Sequence, residues 1–341
     1  MQSVALSKPL RCLLSLAILL MCGAPFGIAI EADPLIPTTT SSPDIDRSIR
    51  QYLKDGRAND AIALLQQQMS KNSANAADHD LLCRVYIQEE QWAHAEQECN
   101  RAVELEPDNS SYHQWLGRAY GGAAAHASLT SAYSLAKKVH AEFETAVGLD
   151  PKNESALSDL GEYLVDVPRI LGGGTAHAEE IAQQLQPLNA ARYHALQAKI
   201  DEKNSDFPSA EQQWHLAIRS SPNPAEEWMG LATFYAERKN FPAMHQAIQS
   251  GIAADPGKGP ALVVGATLLI DKHQDSAQAE QMLRQYLASH QQSEDAPAFQ
   301  VRVQLGKLLA SHGQHAAAQQ EYAAAQALAS EYKPAQRASR G

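Results

Sequence analysis

The chain has 341 residues, 44% hydrophobic and only 6% aromatic, and carries a formal net charge of −11. One globular core rarely grows that large, so several domains or an array of repeats is expected. The acidic balance argues against nucleic acid or an anionic membrane surface as the main partner, and the wealth of Ala and Gln without sustained alternation argues against a β fold.

In chain order, residues 1–29 are a separate object. Lys8 and Arg11 precede an uncharged run, Cys12 to Ile30; its centre, Leu13 to Met21, has the length of a signal-peptide core, and Gly27 and Ala29 are small enough for a peptidase. The reading is an export signal, a periplasmic or secreted protein, and no membrane span after cleavage. The alternative is an uncleaved anchor in the inner membrane, since the run is nearly long enough to span. Cleavage removes two cations and no acid, leaving a mature charge of −13. Residues 30–43 are a flexible Pro/Thr/Ser linker.

From 44 onward the chain repeats. Residues 76–109 give the clearest unit: Leu82, Cys83 and Tyr86 share one helical face, a turn follows near Trp92, and Ala95, Cys99 and Ala102 share a second face that ends at Pro107. Pro107, Pro151, Pro187, Pro222 and Pro256 mark the period, with spacings of 44, 36, 35 and 34. Residues 44–75 are a degenerate first unit, as a terminal repeat should be. Unit 110–153 carries ten extra residues within Gly121 to Lys138, which read either as longer helices or as a protruding hairpin that meets a partner. Unit 154–187 repeats Leu160-Gly161 and is cut short by Pro168 before Gly172-Gly173-Gly174. Units 188–224, 225–258, 259–295 and 296–331 follow, and 332–341 is a short basic tail expected to fray.

The pattern Leu-small-x-x-Tyr, then Ala-x-x-x-apolar-x-x-Ala, then Pro, at about 34 residues, resembles the tetratricopeptide repeat superfamily over 44–331, as in an exported bacterial member. The resemblance implies an all-α, right-handed superhelical solenoid of antiparallel helix pairs whose concave groove binds a protein or peptide. It implies a non-enzymatic scaffold with no cofactor. The small slot, taken by Cys83, Gly117, Gly161, Ala198, Ala232 and Gly306, lets paired helices approach.

Candidate site residues follow from position. After the small slot stand Arg84, Arg118, Glu162, Lys199, Thr233 and Lys307. In the proteins this chain resembles, that slot faces the groove, so Arg84 and Arg118, with Gln114 and Lys199, form a candidate clamp for a peptide carboxylate. Ordinary ion pairs within a helix, such as Asp80 with Arg84, are the competing reading. The three glycines at 172–174 before a helix, with Arg169, form either a flexible connection or an anion site, the latter carrying a second functional reading as a small-ligand or transport-accessory protein. Cys83 and Cys99 point into one seam. A bridge there is worth about 3 kcal/mol by chain entropy, but an offset of about one turn, ~5.4 Å, works against it, and two buried thiols are the alternative. None of the 13 histidines has ligand spacing, and no metal is expected; His94, His140 and His177, each before Ala-Glu, read as members of solvated helix faces. No nucleophile motif or phosphate loop occurs in the sequence.

Overall fold

The computed structural model describes residues 43–289 and 291–340. The export signal and the linker up to residue 42 lie outside the described residues. Helix makes up 77% of what is described, with no strand. The helices are α1 (Pro43–Asp55), α2 (Ala58–Met69), α3 (Ala76–Gln88), α4 (Trp92–Leu105), α5 (Ser110–Ala125), α6 (Leu129–Leu149), α7 (Glu154–Asp166), α8 (Thr175–Leu185), α9 (Ala190–Lys203), α10 (Phe207–Ser220), α11 (Ala225–Glu237), α12 (Phe241–Ala253), α13 (Pro260–Asp271), α14 (Ser276–Ala288), α15 (Ala298–Ser311), α16 (His315–Leu328) and α17 (Lys333–Ala338), with a 3-10 turn at Arg169–Leu171.

The repeat writes its own boundaries. Asn75, Asn109, Asn153 and Asn189 each cap the first helix of a pair, the side chain accepting a backbone N–H two or three residues on. Such a cap is worth about 1 kcal/mol. Within six of the pairs the turn carries one left-handed residue: Gly56, Glu90, Ser205, Lys239, His273 and Gly313. The pair α5–α6 does without it, and α7–α8, joined by the longer glycine loop, carries two, Gly172 and Gly174. In α5–α6 the ten extra residues lengthen both helices, to 16 and 21 residues.

The described residues fall into two compact units, 108–220 and a second made of 43–107 together with 221–340. In the first, α5 packs on α6 and α7, and α9 packs on α7, α8 and α10. The small slot works as the spacing requires: Gly117 lies against the Phe143 ring, so close that an added Cβ would sit 2.5 Å from it.

The second unit joins distant stretches of chain. Ile49 and Leu53 of α1, Leu65 of α2 and Leu81, Leu82 and Val85 of α3 share one core with Phe299, Val303, Ala325, Tyr332 and Ala335. Asn59 fixes the junction by donating to the Ala327 carbonyl and accepting from the Ser330 backbone and hydroxyl. The tail is therefore not frayed. Its helix α17 packs on α15 and α16, where Tyr332 meets the Phe299 ring at 4.9 Å and Tyr332 and Ala335 are buried. The helices α11 to α16 of this unit continue the paired arrangement.

Candidate functional site

In residues 108–220 the first helices α5, α7 and α9 share a row of ordered polar side chains. The Gln114 amide donates to Ser155 Oγ at 2.7 Å and to Asp159 Oδ2 at 2.8 Å. Arg118 Nε donates to Asp159 Oδ2 at 2.7 Å, its Nη2 reaches Asp159 Oδ1 and Ser155 Oγ at 3.2 Å, and its guanidinium lies over the Trp115 ring. Asn153 donates to Ser110 Oγ. Further along, Arg192 donates to Ser158 Oγ, Asn189 donates to Glu154, and Lys199 pairs with Glu162 at 2.6 Å. Burial pushes the Glu162 carboxyl up, and Lys199 pulls it back. Helical spacing explains the row: residues four apart on α5 meet residues four apart on α7, and the repeat sets the two helices in register.

The candidate clamp residues are thus each held by an acid of the chain. Arg84 donates from Nε to Glu294 Oε1 at 2.7 Å and also contacts Asp80 at 3.5 Å. Arg84 and Arg118 lie in different compact units, and a partner carboxylate would have to displace Glu294 or Asp159 to reach either. Of the acids of the row, Glu162 was named only as a slot position and Asp159 was not named. Their signal was available, since both flank the Leu160-Gly161 of their own repeat.

The glycine loop is a tied connector. Gly172 donates its N–H to the Arg169 carbonyl, Gly173 to Pro168 and Gly174 to Leu164 at 2.7 Å, so none of the three amides is turned outward to an anion. Arg169 is exposed at its edge.

Cys83 and Cys99 form a disulfide, with Cα atoms 5.2 Å apart. The one-turn offset expected from the hairpin is not there. Cys83 and Cys99 stand where Gly117 and Phe143 stand in the next repeat, and those two are in contact, so the repeat itself brings the sulfurs together.

The histidine reading needs a larger correction. His140 of α6 and His177 of α8 are not on separate solvated faces: their rings pack edge to face at 6.5 Å, with Glu144 beside them. His94, by contrast, takes a hydrogen bond with Gln91 at the surface. Elsewhere, an open pocket of about 420 Å³ is lined by Ser73, His79, Gln97, Glu98, Arg101 and Glu104. His79 Nδ1 bonds Glu98 there at 2.6 Å, and that bond raises its pKa.

Among the described residues, no helix is long and apolar enough to cross a membrane. Among the described residues, the five exposed large hydrophobic residues, Leu129, Tyr133, Leu149, Ile170 and Phe207, lie in residues 108–220.

Comparison with known proteins agrees with this architecture. Residues 52–119 match a family model described as tetratricopeptide repeat. No curated protein matches the sequence. Yeast Tom70 is similar in structure, with 16% identity, 96% of this chain and 69% of that chain covered, and a TM-score of 0.55. A thermophilic TPR protein of Thermus thermophilus aligns at 16% identity over 56% of this chain and 97% of its own, with a TM-score of 0.48. A tetratricopeptide repeat protein of Parabacteroides merdae aligns at 12% identity over 87% of this chain and 96% of its own, with a TM-score of 0.43.

Proposed function

From the premise that the chain belongs to the tetratricopeptide repeat superfamily, we propose that it is a non-catalytic scaffold holding an extended segment of a protein partner along the first helices of residues 108–220. One observation carries this reading: the polar row of α5, α7 and α9 is already ordered and charge-matched. A peptide backbone offers one donor and one acceptor per residue. The row presents both, with Gln114, Arg118 and Lys199 as donors and Asp159, Glu162 and Ser158 as acceptors. Side chains that hold one another in place lose less freedom on binding, which lowers the cost of association. Recognition by exchange within neutral pairs also predicts weak salt dependence, unlike a bare cationic clamp.

A photo-crosslinking residue placed at Ser158, in the row, and at Gln184, exposed on the second helix α8, tests this in the native host. A protein adduct that forms reproducibly from position 158 and not from 184 is expected. Equal labelling from both, or none from 158, contradicts it.

Export belongs to the same reading. Lys8, Arg11 and the apolar run that follows support it, and a Cys83–Cys99 disulfide suits an oxidising compartment. The expected mature N-terminus is near Ile30; mass spectrometry that finds only the intact Met1 form contradicts cleavage.

A further inference from the structure

The geometry points to a transition-metal site formed by His140, Glu144 and His177. His140 and Glu144 stand one turn apart on α6, so they project from one face. His177 comes from the first turn of α8, brought over by the tied loop at 172–174. One donor atom from each of the three lies within 4.8 Å of the others. The His140 Nε2 to Glu144 Oε1 distance is 3.4 Å. Two ligands of a tetrahedral ion at ~2.0–2.1 Å are themselves about 3.3–3.4 Å apart, so this pair is already at ligand spacing.

Three features separate this cluster from a chance meeting of polar side chains. His140 Nε2 is buried and makes no hydrogen bond, and an unsatisfied buried nitrogen calls for an explanation such as a bound ion. The His140 ring is also held from behind. It stacks on Tyr163 at 5.5 Å, and Tyr163 is itself fixed by donating to the carbonyls of Ala136 and Leu171. Finally, Gly172 makes room for the ring: its φ is +91°, and a Cβ there would lie 2.8 Å from the imidazole. The glycine loop thus gains a purpose as the floor under His140, which with Tyr163 fixes the plane of the ring.

Two imidazoles and one carboxylate suit zinc or a neighbouring divalent ion of the first transition row, and leave one tetrahedral position for water or a partner's side chain. Glu144 is half exposed and opens the site to solvent, which supplies an entry path.

The test uses the untagged full chain, stripped of metal with a chelator and titrated with zinc against a chromophoric zinc indicator. Binding of one ion per chain at micromolar zinc or below is expected, and cobalt should give the visible absorption of a tetrahedral site. The double variant His140→Gln/His177→Gln should bind about 100-fold more weakly or worse, and Gly172→Ala about tenfold more weakly. His113→Gln, which alters a neighbouring His–Glu pair of the same unit, should leave binding unchanged. Should the double variant lose helix by circular dichroism, Glu144→Gln at its exposed position decides, with binding about tenfold weaker and helix content intact. The proposal is overturned by a lack of stoichiometric binding, by binding that survives the double variant, or by Glu144→Gln binding as tightly as the parent.

Discussion

Arg84 and Arg118 hold the same place in successive repeats, yet they are neutralised from different distances along the chain. Arg118 takes Asp159 from the next pair, 41 residues on; Arg84 takes Glu294, 210 residues on. In residues 108–220 every polar contact of the row joins neighbouring repeats. In the other unit the early repeats are joined to the late ones, through Arg84 with Glu294, through Gln88 donating to the Glu294 carbonyl, and through Gln300 donating to the Gln88 carbonyl. A period in the sequence fixes which residues face the next repeat. It carries no information about which repeats meet when the chain returns.

The largest effect that can break this comparison lies in the cores. Phe299→Ala and Phe143→Ala each empty a fully buried ring site and should cost about 3–5 kcal/mol. They should differ in where the damage appears. By hydrogen exchange, Phe299→Ala should lower protection in α1 to α3, more than 200 residues away in sequence, while Phe143→Ala should lower it in α5 and α6. Unchanged exchange in α1 with Phe299→Ala would break the comparison.

Next in size is the disulfide. Removing the Cys83–Cys99 bridge, which spans 16 residues, should cost about 3 kcal/mol in chemical denaturation. Cys83→Gly with Cys99→Phe rebuilds the Gly117–Phe143 contact in the earlier repeat and should recover part of that loss. A double variant no more stable than the reduced protein would show that the two hairpins are not equivalent.

pH offers a third probe. In the first repeats, burial pushes the Asp80 carboxyl up to about 6 and Glu89 to about 7, and the Glu98 hydrogen bond raises His79. All three hold protons more tightly folded than unfolded. Their stabilisation is complete at low pH and is lost as pH rises through the folded values. Stability should therefore rise between pH 8 and pH 5, with Asp80 contributing about 1–3 kcal/mol. Asp80→Asn should flatten the slope, and thermal melting across that range reads it directly. A slope of opposite sign would remove the buried-acid account.

The smallest effect concerns the turns. Lys239 sits at φ +57°, a conformation that costs an L-residue about 1 kcal/mol. Lys239→Gly should stabilise by about 0.5–1 kcal/mol, after the entropy that glycine loses, read as a shift of the denaturation midpoint.

The sequence was informative where physics is local. The helix pairs, the small slot at Gly117 and the run of first helices follow from 3.6-residue periodicity, which needs only neighbours. What it hid was of three kinds. The Cys83–Cys99 bridge was left open because an idealised hairpin was used for register instead of the protein's own repeat, in which Gly117 meets Phe143. The pairing of the slot cations was missed because Asp159 and Glu162 look like ordinary surface acids until the next helix is set beside them. The meeting of His140 with His177, and of α16 with α2, depends on the path of the chain between them, which no motif records.

The claim that the early and late repeats form one unit is tested most directly by two double-mutant cycles run side by side in chemical denaturation. One pairs Arg84→Ala with Glu294→Gln, the other Arg118→Ala with Asp159→Asn. Both should show a favourable coupling of about 0.5–3 kcal/mol, because both pairs are part-buried and directly bonded. Coupling between Arg118 and Asp159 with strict additivity between Arg84 and Glu294 would mean that the chain ends do not meet as described.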